Sequence, residues 1–260
     1  MKVVILCGGY GTRIRDVSED LPKPMIPVGG EPILWHLMKR YADYGFNEFV
    51  LCLGYRGNVI RDFFLNNQID SRDATVTIGD QSKVEFHGSA PHENWKVTLA
   101  DTGDGTLTGS RVRRIKKYLG NDENFMLTYG DGLSTVDLSK LVEFHRQHKK
   151  IVTVTGVRPP GRFGELNSTN DGVITEFNEK PQASGGRISG GFFVCRNEFF
   201  DYLGDGDQVT FEDQPMRNLV RDEQAMMFEH DGFWQCMDTH RDWVYLNDLA
   251  RTNNAPWTVR

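Results

Sequence analysis

A glycine-rich run, Gly8-Gly9-Tyr10-Gly11-Thr12-Arg13, stands directly after the apolar residues Val3-Val4-Ile5-Leu6-Cys7. Glycines at such a place let successive backbone N–H groups turn toward a polyanion, while Thr12 adds a hydroxyl and Arg13 a two-pronged cation. The chemistry is that of a phosphate cradle. It is not a GxxxxGK loop followed by Ser or Thr, and Ile14 stands where the dinucleotide fingerprint G-x-G-x-x-G needs its last glycine, which disfavours a dehydrogenase. Taken alone, the glycines serve a ligand-free tight turn equally well. Pro22-Lys23-Pro24-Met25 follows a short way on. Two prolines restrict their neighbours and are expected to hold Lys23 on a stiff, extended segment, a pre-positioned ammonium for developing phosphoryl charge. Asp131, within Gly130-Asp131-Gly132, follows the apolar run Phe125 to Tyr129 and so puts a carboxylate at the end of a buried strand.

The elements that must hold these groups are legible in the apolar spacing. Val3 to Cys7 reads as a parallel strand covered on both faces, and Pro32 to Tyr41 as a helix with Leu34, Leu37, Met38 and Tyr41 on one side. Glu48 to Leu53 completes a strand-loop-helix-strand unit, and a second helix, with Asn58 as its cap, carries Val59, Ile60, Phe63 and Phe64. Short runs at Thr75 to Ile78 and Val84 to Phe86 predict a β-rich excursion, followed by a core strand over Trp95 to Leu99. Further on, the pattern predicts helices over Val112–Leu119, Leu138–His148 and Pro215–Glu223 and a last helix from about Thr239 carrying Trp243, Leu246 and Leu249. Strands are expected over Phe125–Tyr129, Ile151–Val157, Val173–Phe177, Gly190–Cys195 and Ala225–Glu229. The fold class is therefore α/β, a Rossmann-like, mostly parallel mixed sheet flanked by helices, in one domain over 1–260. Two parts are expected within it, about 1–135 and about 136–260.

Composition narrows the function. A net charge of −6 argues against a surface built for a nucleic-acid backbone, so no nucleic-acid partner is expected. The N-terminal apolar run is too short for a signal-peptide core or a membrane span, and no membrane partner is expected. Four scattered cysteines, Cys7, Cys52, Cys195 and Cys236, have no CxxC spacing and read as reduced thiols of a cytoplasmic protein. The seven histidines lack HExxH spacing and read as structural or surface residues; His145 and His148 could meet only as an i, i+3 pair. Trp35 reads as core, with Trp234 left open between core and ligand platform.

Gly8 to Arg13, Pro22-Lys23-Pro24-Met25 and Gly29-Gly30-Glu31-Pro32-Ile33-Leu34 together resemble the sugar-phosphate nucleotidyltransferase family. Tyr129 to Gly132, Pro160-Gly161-Arg162-Phe163-Gly164, Glu179-Lys180-Pro181, Gly190 to Val194 and Phe233-Trp234 through Met237-Asp238-Thr239 extend the likeness over nearly the whole chain, most closely to cytidylyl-transferring members. The resemblance implies Mg²⁺-dependent attack of glucose 1-phosphate on the α-phosphorus of CTP, in a homo-oligomer, as a hexamer. Another base, UTP or dTTP, another hexose 1-phosphate, and a non-catalytic sugar-nucleotide-binding regulator are the alternatives.

By the same likeness Asp131 and Asp238 are the metal ligands, and Arg13 and Lys23 are catalytic. Arg13 stabilises departing pyrophosphate and Lys23 the nucleotide phosphates. The nucleotide would be held by Leu6, Gly8, Gly9, Gly11, Thr12, Arg13, Lys23 and Thr128, with Thr106 and Arg111 reading the cytosine edge. Lys180 would hold the sugar's phosphate, while Glu179, Gly164 and Gly191 line the sugar. The chain departs from the family pattern at Ser189 for an asparagine, Ser110 for a glycine and Cys236 for a proline.

Overall fold

β1 (Val3–Leu6) is buried along its length because Val3 and Ile5 face one layer of the core while Val4 and Leu6 face the other. That is why its sequence is continuously apolar instead of alternating. The computed structural model describes residues 1–14, 17, 20–70, 73–79, 83–87, 94–159, 165–169, 171, 173–178, 186–252 and 254–258.

In chain order after β1 come α1 (Ile33–Ala42), β2 (Glu48–Leu53), α2 (Gly57–Asp70), β3 (Lys96–Asp101), α3 (Thr108–Arg114) and β4 (Asn124–Tyr129). The second half adds α4 (Leu138–His148), β5 (Val152–Val157), β6 (Ile188–Arg196), α5 (Gln214–Arg221), β7 (Ala225–His230) and α6 (His240–Arg251). Among the described residues these strands form a seven-stranded sheet in the order β7-β5-β6-β4-β1-β2-β3. β6 runs antiparallel to both β5 and β4, while the pairs β1/β2, β1/β4, β2/β3 and β5/β7 are parallel. The expected mixed, mostly parallel sheet is what forms. From β1 the chain steps outward through β2 and β3, then returns to β4 on the other side of β1. The C-terminal ends of β1 and β4 therefore flank a topological switch point, where open α/β sheets bind ligands.

One face of the sheet is covered by Leu34, Leu37, Met38 and Tyr41 of α1, Ile60 of α2, Leu138 and Leu141 of α4 and Leu246 of α6. The other is covered by Val112 of α3, Leu219 of α5 and a cluster of Phe199, Phe200 and Phe211. Each such large side chain, fully buried, contributes roughly 1.5–3 kcal/mol before its ordering entropy is subtracted. The β-rich excursion is the antiparallel hairpin Ala74–Thr77 with Lys83–Phe86, outside the main sheet.

Three local readings differ. Asn58 lies inside the first turn of α2, because the helix already starts at Gly57, right after Arg56 with φ at 50°. The expected helix over Val112–Leu119 starts earlier, at Thr108, and is broken at Ile115 into α3 and a short turn, Lys116–Leu119. Lys23 is not on an extended segment: Pro22 is extended, but Lys23–Met25 is one turn of 3₁₀ helix closed by Met25 N–H donating to Pro22 O at 2.8 Å. Pro24 suits that turn, since its missing N–H falls where no partner is needed.

Candidate active site

The two strand ends are locked in register, Leu6 opposite Tyr129, and Gly130 N–H donates to Leu6 O at 3.0 Å. From that point the glycine loop leaves β1 and Asp131 leaves β4. A two-stranded ribbon, Gly132–Ser134 with Trp234–Cys236, then joins distant parts of the chain. Met237 N–H donates to Asp131 O at 2.9 Å, which delivers the next residue, Asp238, beside Asp131. Asp238 is fixed in turn by the start of α6. The Asp242 carboxylate accepts from the Asp238 N–H at 3.1 Å and the Thr239 N–H at 2.8 Å, within a capping box in which Thr239 caps the helix.

Lys23 Nζ is seated between the two carboxylates, 2.6 Å from Asp131 Oδ2 and 2.5 Å from Asp238 Oδ1. Its side chain is only 11 % exposed. Burial alone would lower the ammonium's pKa, but the Asp131 charge and the hydrogen bonds to both carboxylates outweigh it and raise it, so Lys23 stays charged. A cation already sits where the two acidic groups converge. Cys236 joins the pair: its Sγ and one oxygen from each aspartate lie within 4.8 Å of one another. Burial, then the Asp131 charge, pushes the Cys236 thiol's pKa up, so without a metal it is protonated.

A cavity of about 330 Å³ opens over the glycine loop, and Leu6, Gly8, Gly9, Gly11, Thr12, Lys23, Thr106, Arg111, Asp131 and Asp238 all line it. The structure thus brings together most of the expected nucleotide and metal residues. Arg13 lies in the turn Thr12–Ile14, and its side chain is outside the described residues. Arg111 is 4 % exposed, and its guanidinium is engaged with the protein itself. Nη1 donates to Leu53 O at 3.1 Å and Thr102 Oγ1 at 2.9 Å; Nη2 donates to Gly8 O at 3.1 Å and Asp104 O at 3.0 Å. It therefore ties together the ends of β1 and β2 and the loop after β3. Gly8 is required by this approach: a Cβ there would lie 2.2 Å from Arg111 Nη1. Thr106, almost buried, accepts a bond from Arg114 Nη1 at 3.2 Å.

A second cavity, about 360 Å³, adjoins the first and is lined by Gly191, Ser189, Glu212, Trp234 and Cys236. Thr128, opposite Phe192 of β6, lines this cavity and not the one over the glycine loop. Tyr129, Asp131 and Asp238 line both cavities and form their boundary. Gly191 has φ at 79°, and a Cβ on it would meet the Tyr129 ring at 2.7 Å, so only glycine fits against that wall. Gly164, Glu179 and Lys180 lie outside the described residues.

Sequence reasoning missed Glu212. Its carboxylate accepts from Tyr129 Oη on one oxygen and Thr108 Oγ1 on the other, linking the end of β4 to the start of α3. Nothing periodic around Glu212 marks it, and only the fold brings it to the pocket. Tyr129 was findable, since it immediately precedes Gly130-Asp131-Gly132. Trp234 packs against the core and also forms a wall of this pocket, where its Nε1 donates to Gly190 O at 2.7 Å. The histidine reading holds for His145, which is buried and bonded to Thr153 and Asn124 at the far end of the sheet.

A boundary of this kind, where a seated ammonium and converging carboxylates separate a glycine-looped pocket from a second polar one, suits an enzyme that moves a phosphorylated nucleoside group between two substrates. A family profile described as nucleotidyl transferase matches residues 2–250, and the chain belongs to that family. It is 44% identical over 257 residues to the glucose-1-phosphate cytidylyltransferase of Salmonella typhimurium, covering 99% of this chain and 98% of that one. It is 42% identical over 259 residues to a Bacillus subtilis protein described as a probable glucose-1-phosphate cytidylyltransferase, covering 100% of each. A UDP-glucose pyrophosphorylase solved with UDP-glucose superposes with a TM-score of 0.68 at 14% identity, over 97% of this chain and 98% of that one, a likeness of fold.

Proposed function

We propose that this protein transfers a cytidylyl group from CTP to α-D-glucose 1-phosphate, giving CDP-glucose and pyrophosphate. The observation that carries this reading is the pair Asp131 and Asp238 on the wall common to two pockets, with the Lys23 ammonium of the first pocket held between them. The full-length similarity to glucose-1-phosphate cytidylyltransferases supports the choice of base and sugar.

The nucleoside triphosphate lies over the glycine loop, with backbone N–H groups of Gly8 to Thr12 turned to its phosphates. The sugar phosphate enters the second pocket from the far side. One of its phosphate oxygens attacks the α-phosphorus, a new P–O bond forms, and the bond to the bridging β-phosphate oxygen breaks. A phosphate monoester near neutral pH is already an anion, so no general base is needed, and positioning with charge neutralisation supplies the acceleration. Lys23 turns from the carboxylates to the phosphates as charge develops there, and Arg13 meets the departing pyrophosphate. Lys180, Glu179 and Gly164 complete the sugar-phosphate side. Asp131 and Asp238 offer hard oxygen donors that fit Mg²⁺, and a Mg²⁺ held by them would supply neutralising charge to the phosphates. Arg111 acts on the base pocket by holding the carbonyls of Gly8 and Asp104 in place, and it shares the cavity wall with Thr106 and loop backbone.

Pyrophosphate release from each of the four nucleoside triphosphates, with a panel of hexose 1-phosphates, tests the reading. CTP with glucose 1-phosphate is expected to be fastest; equal turnover with UTP or dTTP overturns the base assignment. Asp131→Asn is expected to reduce kcat by roughly 10²-fold or more, the scale of removing one preorganised electrostatic group.

A further inference from the structure

We infer that Cys236 supplies a third, sulfur ligand to the divalent cation held by Asp131 and Asp238, so that this centre binds thiophilic cations such as Co²⁺ and Cd²⁺ far more tightly than a two-carboxylate centre could. The inference rests on the reading of Asp131 and Asp238 as metal ligands. Along the ribbon strand Trp234–Cys236, alternate side chains face opposite ways. Gln235 turns to the Asp242 carboxylate at 2.9 Å, while Trp234 and Cys236 line the second pocket. Cys236 pairs with Gly132, at which even an added Cβ would meet nothing within 4 Å.

Sγ and the two carboxylate oxygens lie within 4.8 Å of one another. An ion with about 2.3 Å to sulfur and about 2.1 Å to each oxygen needs its ligands roughly 3–4 Å apart, which small side-chain rotations reach. The Lys23 ammonium between the carboxylates shows that the pocket accommodates a cation at that point. A mixed oxygen–sulfur set favours softer divalent ions over Mg²⁺, whose preference is oxygen alone. On coordination the S–H bond breaks, an S–metal bond forms, and the proton passes to solvent, with no change of oxidation state. The other cysteines, Cys7, Cys52 and Cys195, are buried and stand outside this group.

The test is titration of the nucleotide-free wild-type protein with Co²⁺, read by near-ultraviolet absorption, with Cd²⁺ affinity measured by calorimetry. The expected result is a thiolate-to-Co²⁺ charge-transfer band that saturates at one ion per chain. It should be absent in Cys236→Ser, with Cd²⁺ affinity in that variant at least about tenfold weaker. Asp131→Asn should weaken both the band and the Cd²⁺ affinity. Co²⁺ binding that depends on Asp131 but shows no sulfur band overturns the inference and leaves the aspartate assignment standing. A sulfur band untouched by Asp131→Asn also overturns it, by placing the ion elsewhere.

Discussion

On the reading of Asp131 and Asp238 as metal ligands, Lys23 competes with a divalent cation for the same two carboxylates. In the resting site the ammonium neutralises Asp131 and Asp238 at 2.6 and 2.5 Å, so a metal must displace it. Lys23→Met removes that competitor and takes its positive charge from between the two carboxylates. Metal affinity of the nucleotide-free variant should therefore rise by about tenfold or more, while kcat falls by roughly 10²–10³-fold for want of the cation at the reacting phosphate. Calorimetric metal titration beside steady-state kinetics checks both directions; a fall in both would mean that Lys23 organises the pair instead of competing with the metal. Arg111 poses a different problem at the same scale. Lysine keeps the charge but cannot reach four acceptors from a planar fork, so Arg111→Lys loses most of these bonds; Leu53 O keeps Thr102 and Gly8 O keeps the Tyr55 N–H, while Asp104 O loses its Arg111 donor. Stability should drop by roughly 2–4 kcal/mol with a raised KM for CTP, read by denaturant unfolding and kinetics. The likeness to cytidylyl-transferring enzymes nominates Arg111 from sequence, as a reader of the cytosine edge. That its guanidinium faces inward to three backbone carbonyls is not legible there, because those partners come from three separate parts of the chain.

At the scale of elements, the apolar rhythm gave the sheet and its covering helices, since burial on one or two faces leaves its period in the sequence. The ribbon Gly132–Ser134 with Trp234–Cys236 left no such trace. It is only three residues on each side, and its pairing joins segments a hundred positions apart. Yet this ribbon is what makes a pair out of Asp131 and Asp238, which sequence could nominate only separately or by likeness. The start of α6 is its counterpart: Asp242 closes the capping box with Thr239 and also holds the Asp238 N–H and the Gln235 side chain. Asp242→Ala should therefore do more than a cap removal. About 1–2 kcal/mol of stability is expected to go with the cap, and metal affinity should weaken as the Asp238 backbone loosens. Asp242→Asn retains one acceptor oxygen and should recover part of both. Loss of stability with unchanged metal affinity would show that α6 does not position Asp238.

For the whole molecule, acid should act at the end of the sheet away from the pockets. His145 of α4 is buried there between Thr153 of β5 at 2.8 Å and Asn124, the first residue of β4, at 3.2 Å, with His148 packed against it. Burial first, then the neighbouring His148, lowers its pKa from 6.5 to about 4. The native state keeps His145 neutral where the unfolded chain would protonate it. Between about pH 6.5 and 4 the unfolded state binds the extra proton, so stability is full above 6.5 and is lost as pH falls toward 4. One such group can contribute a slope of at most about 1.4 kcal/mol per pH unit in that window. Burial lowers His36, His148 and His230 in the same direction, so the wild-type slope alone does not isolate His145. The difference between wild type and His145→Asn does: the variant should be less stable at pH 7, having lost its hydrogen bonds, but should lose less on going to pH 5. Urea unfolding at pH 7, 6 and 5 measures both slopes. Parallel slopes would mean that His145 does not titrate differently on folding, and that acid sensitivity arises at the other histidines.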